Sequence, residues 1–227
     1  MNPFFIIKSF IKKGSPKIFG FIKKILNSKL IAPFYRKIYS SIFPPNERYD
    51  PDTLDAEIKY FNKYTNAVIG KICGKVLDLG CGFGYLTEKI ANKEDVKDVY
   101  AIDKISPDEF RFLNHPKIKY FQRNITTLTR ETQFSDFDVV VSTEFVEHIK
   151  EGDFINLFGW IKNCLRKGGI FTGSTPNNKT PFPKFSDVAY HLREYQPRYF
   201  EKLLESAGFK NIKLDIYDDF FTWQCEK

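Results

Sequence analysis

The stretch Val76-Leu77-Asp78-Leu79-Gly80-Cys81-Gly82-Phe83-Gly84 constrains this chain more than any other. Its apolar start reads as a buried strand, its glycines as a tight turn, and the residues after them as the opening of a helix. A carboxylate at the strand end is followed by three glycines at alternate positions. Backbone there can approach a nucleotide-like ligand closely, because glycine has no Cβ to obstruct it. The spacing narrows the ligand. A dinucleotide fingerprint needs G-x-G-x-x-G, so that a pyrophosphate sits on the helix N-terminus. Here the glycines fall at 80, 82 and 84, and Tyr85 stands where the third should be. The loop suits a nucleoside without a pyrophosphate better than a dinucleotide.

The rest of the chain alternates β and α patterns. Pro44-Pro45 opens a linker, and Asp52 or Thr53 is placed to cap a helix carrying Ile58, Phe61, Val68 and Ile69. Strands are expected near 75–79, 98–102, 118–121, 138–142 and 170–174, and helices near 84–92, 107–113, 152–166 and 197–207. Val139-Val140-Val141 is a continuous apolar run, as in a strand buried on both faces. Gly168-Gly169 reads as a helix C-cap and turn. The chain closes with two β patterns, 209–216 and 219–225, an expected antiparallel pair. Such alternation implies an open, mostly parallel sheet with helices on both faces, which binds ligands beyond the carboxyl ends of its strands.

Val99-Tyr100-Ala101-Ile102-Asp103 is a second buried strand ending in an acid, about 20 residues after the glycine turn. A carboxylate there can accept hydrogen bonds from both ribose hydroxyls. Together, Asp78-Leu79-Gly80-Cys81-Gly82-Phe83-Gly84 and Asp103 resemble the first motifs of class I S-adenosylmethionine (SAM)-dependent methyltransferases. The resemblance covers roughly residues 52–227. It implies an α/β, Rossmann-like fold: a mostly parallel seven-stranded sheet, helices on both faces and an antiparallel C-terminal strand pair. It implies that Asp78, Gly80, Cys81, Gly82, Gly84 and Asp103 hold SAM and that Asn124 contacts the adenine edge. Thr143, at the end of the fourth strand, would line the same pocket. For Asn124 an Asx turn is the competing reading.

Glu144-Phe145-Val146-Glu147-His148 carries the sharpest local chemistry. In one α-helical turn, residues i, i+3 and i+4 share a face, so Glu144, Glu147 and His148 would point together. Two carboxylates and an imidazole can hold a divalent cation, and His191 could supply a fourth ligand. The pattern resembles ubiquinone-biosynthesis O-methyltransferases and small-RNA 2′-O-methyltransferases. In the latter, matching Glu, Glu, His and His grip a metal on vicinal hydroxyls. Similar pairs occur in methyltransferases of small molecules and glycans, where His148 or His191 would act as general base or orient neighbours. Metal ligation, proton transfer and a structural role all stay open here.

Charge is distributed unevenly. The whole chain is +7, yet residues 1–46 hold nine Lys and Arg and no acid, leaving 47–227 net acidic. Ile18, Phe21, Ile22, Ile25 and Leu26 follow helical spacing within this basic extension. It is an interfacial amphipathic helix, a structural cap on the domain, or an organelle transit peptide, and its lysines also suit phosphates. The domain expectation is therefore a basic amphipathic extension over 1–46 and a methyltransferase domain over 47–227. Cys73, Cys81, Cys164 and Cys225 show no metal spacing and read as reduced thiols. A cytoplasmic protein, peripheral at a membrane surface through the extension, is the expectation.

The reading as a whole is transfer of a methyl group from SAM to an oxygen of a small-molecule, glycan or lipid-linked acceptor by in-line displacement. Two alternatives accompany it: RNA ribose 2′-O-methylation, disfavoured by the acidic core, and a non-catalytic SAM-fold scaffold.

Overall fold

The structure is a computed structural model that describes residues 62–109, 112–125, 127, 133–178 and 192–227. The basic extension over 1–46, its boundary with the domain, most of the capped helix expected after Asp52, and His191 lie outside the described residues.

Seven strands form one sheet in the order β3-β2-β1-β4-β5-β7-β6. They are β1 Gly74–Leu79, β2 Val96–Asp103, β3 Ile118–Gln122, β4 Phe137–Thr143, β5 Leu165–Pro176, β6 Lys210–Ile216 and β7 Phe220–Glu226. The first five run parallel, and β7 runs antiparallel between β5 and β6. The expected sheet and its C-terminal pair are both present. Among the described residues four helices accompany them: α1 over 62–68, α2 Tyr85–Ala91, α3 Phe154–Cys164 and α4 Pro197–Ser206.

The side-chain period of two explains why helices cover both faces. Leu77, Leu79, Val140 and Phe171 point to a core that α3 and α4 fill with Phe154, Phe158, Ile161, Phe200 and Leu204. Their neighbours Val76, Val139 and Val141 point to the opposite core, built with Val68, Leu86 and Ile90. Val139, Val140 and Val141 are all essentially inaccessible, as their unbroken apolar run requires. The first core is strongly aromatic: Phe158 alone meets Phe154, Phe171, Phe200 and Phe209 at ring-centroid distances of 5.0 to 6.2 Å.

Two expectations change. The helix expected over 152–166 stops at Cys164, and Gly168-Gly169 are not its cap but part of β5. The β4–β5 register slips between Phe137 and Val139, and Gly168 takes φ +69° inside that irregularity. A Cβ at Gly169 would press on the carbonyls of Arg166 and Phe137 at 3.0 Å. The second change is at 107–113, where the described part is only a single 3-10 turn, Pro107–Glu109. Among the described residues no helix is long and apolar enough to cross a membrane.

The strand order reverses between β1 and β4, and Asp78, Asp103, Asn124, Thr143, Glu144, Glu147 and His148 lie at or beyond the carboxyl ends of strands. That edge is where an open α/β sheet binds ligands.

Candidate active site

The glycine turn is fixed by backbone geometry. Gly80, Gly82 and Gly84 have φ of +73°, +52° and +94°, a region that side chains with a Cβ rarely adopt. The N–H groups of Gly80 and Cys81 both donate to Ile102 O, which ties the turn to the end of β2. Any Cβ on Gly80 would run into the Phe145 ring, whereas one on Gly82 would meet only open space. The turn is thus sealed on one side by protein and open on the other.

Two carboxylates flank it. Asp103 ends β2 with both oxygens aimed at backbone. Oδ2 accepts from Gly82 N–H at 2.9 Å, and Oδ1 accepts from Lys104 and Ile105 N–H at 2.6 and 3.2 Å. Three of the carboxylate's lone-pair sites are thus taken, and the one left on Oδ2 can still accept a ribose hydroxyl. Asp78 is buried in β1 and accepts from Thr87 Oγ1 at 2.7 Å. Burial pushes its carboxyl up to about 7; the Thr87 bond opposes this and the nearby Asp103 adds to it. Burial, then the Asp78 and Asp103 charges, likewise raise the Cys81 thiol, so the thiol stays protonated. Arg123 N–H donates to Asp103 O at 2.7 Å, which places Asn124 close to the end of β2. There Asn124 uses its backbone carbonyl to close a turn with Thr127, and its side chain is exposed.

The stretch 144–148 does not form the expected α-helical turn. Glu144 has φ +49°, outside any right-handed helix, and its N–H extends the ladder by donating to Ser174 O. Only Val146–His148 is helical, as one 3-10 turn with i to i+3 bonds. The two carboxylates consequently diverge. Ser174 Oγ donates to Glu144 Oε1 at 2.9 Å, and Thr175 Oγ1 donates to Glu147 Oε2 at 3.0 Å. Ser174 and Thr175 are consecutive on β5, so their side chains leave opposite faces of the sheet. His148 Nε2 lies 3.9 Å from Glu147 Oε1, and its ring is partly exposed. Among the described residues no group of three His, Cys, Asp or Glu could hold a metal ion. His191, the expected fourth ligand, lies outside the described residues.

Burial raises the carboxyls of both glutamates. Glu144 reaches about 7, with Ser174 opposing burial, Asp219 adding to it and Lys63 again opposing. Glu147 is fully buried and is raised further, first by burial and then by the charge of Glu144. Glu147 also has a structural task. Its carbonyl accepts from Leu192 and Arg193 N–H at 2.8 and 3.2 Å, tying the segment after position 191 to the end of β4.

Several residues of this region carry no sequence signal of a role. Lys63 on α1 pairs with Asp219 in the β6–β7 turn at 2.5 Å, and Tyr64 meets the Phe220 ring edge-on at 4.7 Å. Ser174 and Thr175 could have been noticed as polar residues inside a buried strand, and Thr87 as a hydroxyl on an apolar helix face. Lys63 and Asp219, 156 positions apart, could not.

Fold and site together define an open α/β domain with a nucleoside cradle at its topological switch point. Residues 38–214 match the methyltransferase domain family. The chain belongs to that family, the class I SAM-dependent methyltransferases. It is 27% identical over 151 residues to a ubiquinone biosynthesis O-methyltransferase of Glaesserella parasuis, covering 63% of this chain and 62% of the relative. It is 24% identical over 159 residues to a malonyl-[acyl-carrier protein] O-methyltransferase of Paenibacillus, covering 61% and 56%. A probable SAM-dependent methyltransferase of Mycolicibacterium smegmatis is 30% identical over 137 residues, covering 60% and 51%. The chain therefore spans between about half and three fifths of the length of these curated relatives. Among solved structures, an O-methyltransferase family protein from Burkholderia thailandensis superposes with a TM-score of 0.64 at 15% identity, covering 82% of this chain and 63% of that one. A 1,6-didemethyltoxoflavin-N1-methyltransferase from the same organism gives 0.62 at 20% identity, covering 86% and 88%. At these identities the likeness is one of fold.

Proposed function

We propose that this chain transfers the methyl group of SAM to an oxygen of a small-molecule acceptor. The single observation that carries the reading is the cradle of residues 78–84 with Asp103. It is open above Gly82, sealed below Gly80, and flanked by one carboxylate suited to ribose and one suited to a cation. The cofactor carries a sulfonium and an ammonium against one carboxylate. Its net positive charge favours the ionised form of Asp78, whose proton is only loosely held near neutral pH. Gly80, Cys81, Gly82 and Gly84 supply backbone approach, Asp103 the ribose contacts, and Asn124 and Thr143 the edges of the pocket. The bound cofactor supplies an electrophilic methyl group. The chain's part is to hold the acceptor in line and to receive its proton, for which His148 is the exposed imidazole at the end of β4. Oxygen as the acceptor atom is favoured by relatives named as O-methyltransferases.

Calorimetry with SAM and with Asp103→Ala, followed by labelled-methyl transfer to phenolic, glycan and RNA acceptors, tests this reading. Absence of SAM binding in the full chain would end it. The basic aromatic extension supports a lipid-linked acceptor reached from a membrane surface. Deleting residues 1–46 should then abolish sedimentation with anionic liposomes; unchanged sedimentation removes the membrane reading.

A further inference from the structure

At the acceptor end, one carboxylate oxygen is left over. Glu144 stands directly after β4 in the left-handed region, with its side chain folded onto β5 and Oε1 held by Ser174 at 2.9 Å. Among the described residues Ser174 is the donor seen on this carboxylate, and Oε2 is not one of the buried oxygens left without a partner. The charges that face Glu144 are Lys63 from α1 and Asp219 from the β6–β7 turn, with Glu147 behind it. Lys63 and Asp219 are paired with each other at 2.5 Å, and both charges act on Glu144. The same side is walled by rings: Tyr64 against Phe220 at 4.7 Å, with Lys63 Nζ 5.0 Å from the Phe220 centroid. The next residue, Phe145, closes over Gly80 of the cofactor turn. Glu144 is therefore one residue from the cofactor cradle, largely buried, and holds a hydrogen-bond acceptor in reserve.

We propose that Glu144 is an acceptor-binding residue, and that the methyl acceptor presents a hydroxyl or amine hydrogen-bond donor to its Oε2, next to the atom that is methylated. This rests on the methyl-transfer reading above. An acceptor oxygen that gives up its water to a ligand and gains no donor costs free energy, so a site of this kind rejects ligands that lack the donor. A second anion beside the ionised carboxylate is repelled more strongly still. The acceptor is thus neutral or cationic where it meets Glu144. A free carboxylate or phosphate at that position is excluded.

The test uses the full chain, labelled SAM and four matched probes: catechol, 2-aminophenol, 2-methoxyphenol with its neighbouring donor capped, and salicylate with an anion in its place. Catechol and 2-aminophenol should exceed the other two in kcat/KM by at least ~10-fold. Glu144→Ala should lower transfer to catechol by about 10-fold or more and flatten the catechol to 2-methoxyphenol ratio, with the Kd for SAM unchanged. Glu144→Gln, which keeps an acceptor oxygen but no charge, should retain the donor preference and relieve the rejection of salicylate. Three results would overturn the proposal: salicylate matching catechol, an unchanged probe ratio in Glu144→Ala, or transfer to none of the four while SAM still binds. Loss of SAM binding in the unaltered chain would instead sink the methyl-transfer reading itself, and this proposal with it.

Discussion

The two ends of the site are built in different ways. The proposed cofactor end is a contiguous piece of chain plus one neighbour: residues 78–84, bonded through backbone to Ile102, and Asp103, whose carboxylate accepts from Gly82 N–H. The proposed acceptor end is assembled from α1, the ends of β4 and β5, and the β6–β7 turn, and is held by side chains. Backbone geometry fixes the first, whereas the second depends on which residues of remote segments happen to meet. The same division has a chemical consequence. A cradle made of backbone can serve one cofactor while the side-chain end is changed to suit different acceptors.

The largest expected effect tests whether the cofactor end is as closed as it looks. Gly80→Ala adds a Cβ into the Phe145 ring at a φ of +73° and should cost about 2–4 kcal/mol in thermal unfolding, with loss of SAM binding. A variant as stable as the parent would show that Phe145 yields and that the two ends are not in contact through it.

Asp103→Ala should separate the ends cleanly. SAM affinity should fall by ~30-fold, about 2 kcal/mol, in calorimetry, while the KM for an acceptor changes by less than ~2-fold. Equal losses on both sides would mean that the ends form one unit.

The pH dependence of the cofactor-free chain comes next. The Asp78 carboxyl ionises near 4 when unfolded and near 7 when folded, because burial disfavours its charge. Between these values the folded state binds the extra proton, so stability falls as pH rises from about 4 to about 7 and stays lower above that. Glu144 contributes with the same sign over the same window. Asp78→Asn should flatten the urea-midpoint profile by roughly 1–3 kcal/mol across this range. The parent should gain affinity for SAM over uncharged-sulfur S-adenosylhomocysteine as pH rises through 7, and Asp78→Asn should remove that gain. A parent profile that climbs with pH between 4 and 7 would contradict the assignment.

The smallest effect belongs to the acceptor wall. Lys63 and Asp219 are about half exposed, so Lys63→Met should change stability by less than ~1 kcal/mol. Transfer to a neutral acceptor should fall more than stability does, because Asp219 would then add an uncompensated charge beside Glu144.

Legibility in the sequence follows the same line as the comparison. The strands of β1, β2 and β4 and the glycine turn are readable because apolar runs and positive-φ positions are local requirements. The misreadings fall where tertiary context decided. Glu144-Phe145-Val146-Glu147-His148 has helical spacing, but pairing of Glu144 N–H with Ser174 O carries the chain onward as strand before it can turn. Gly168-Gly169 resembles a helix cap, but the register slip between β4 and β5 absorbs both glycines into a strand.

The sequence by itself determined where most strands and helices form and where the glycine turn lies, since hydrophobic period and glycine conformation act over a few residues. Only the tertiary structure decided that Thr87 meets Asp78, that Glu144 and Glu147 part to opposite faces, and that Lys63 reaches Asp219. Those meetings depend on strand order and register, which are settled when the whole sheet packs and cannot be read from neighbours in the chain.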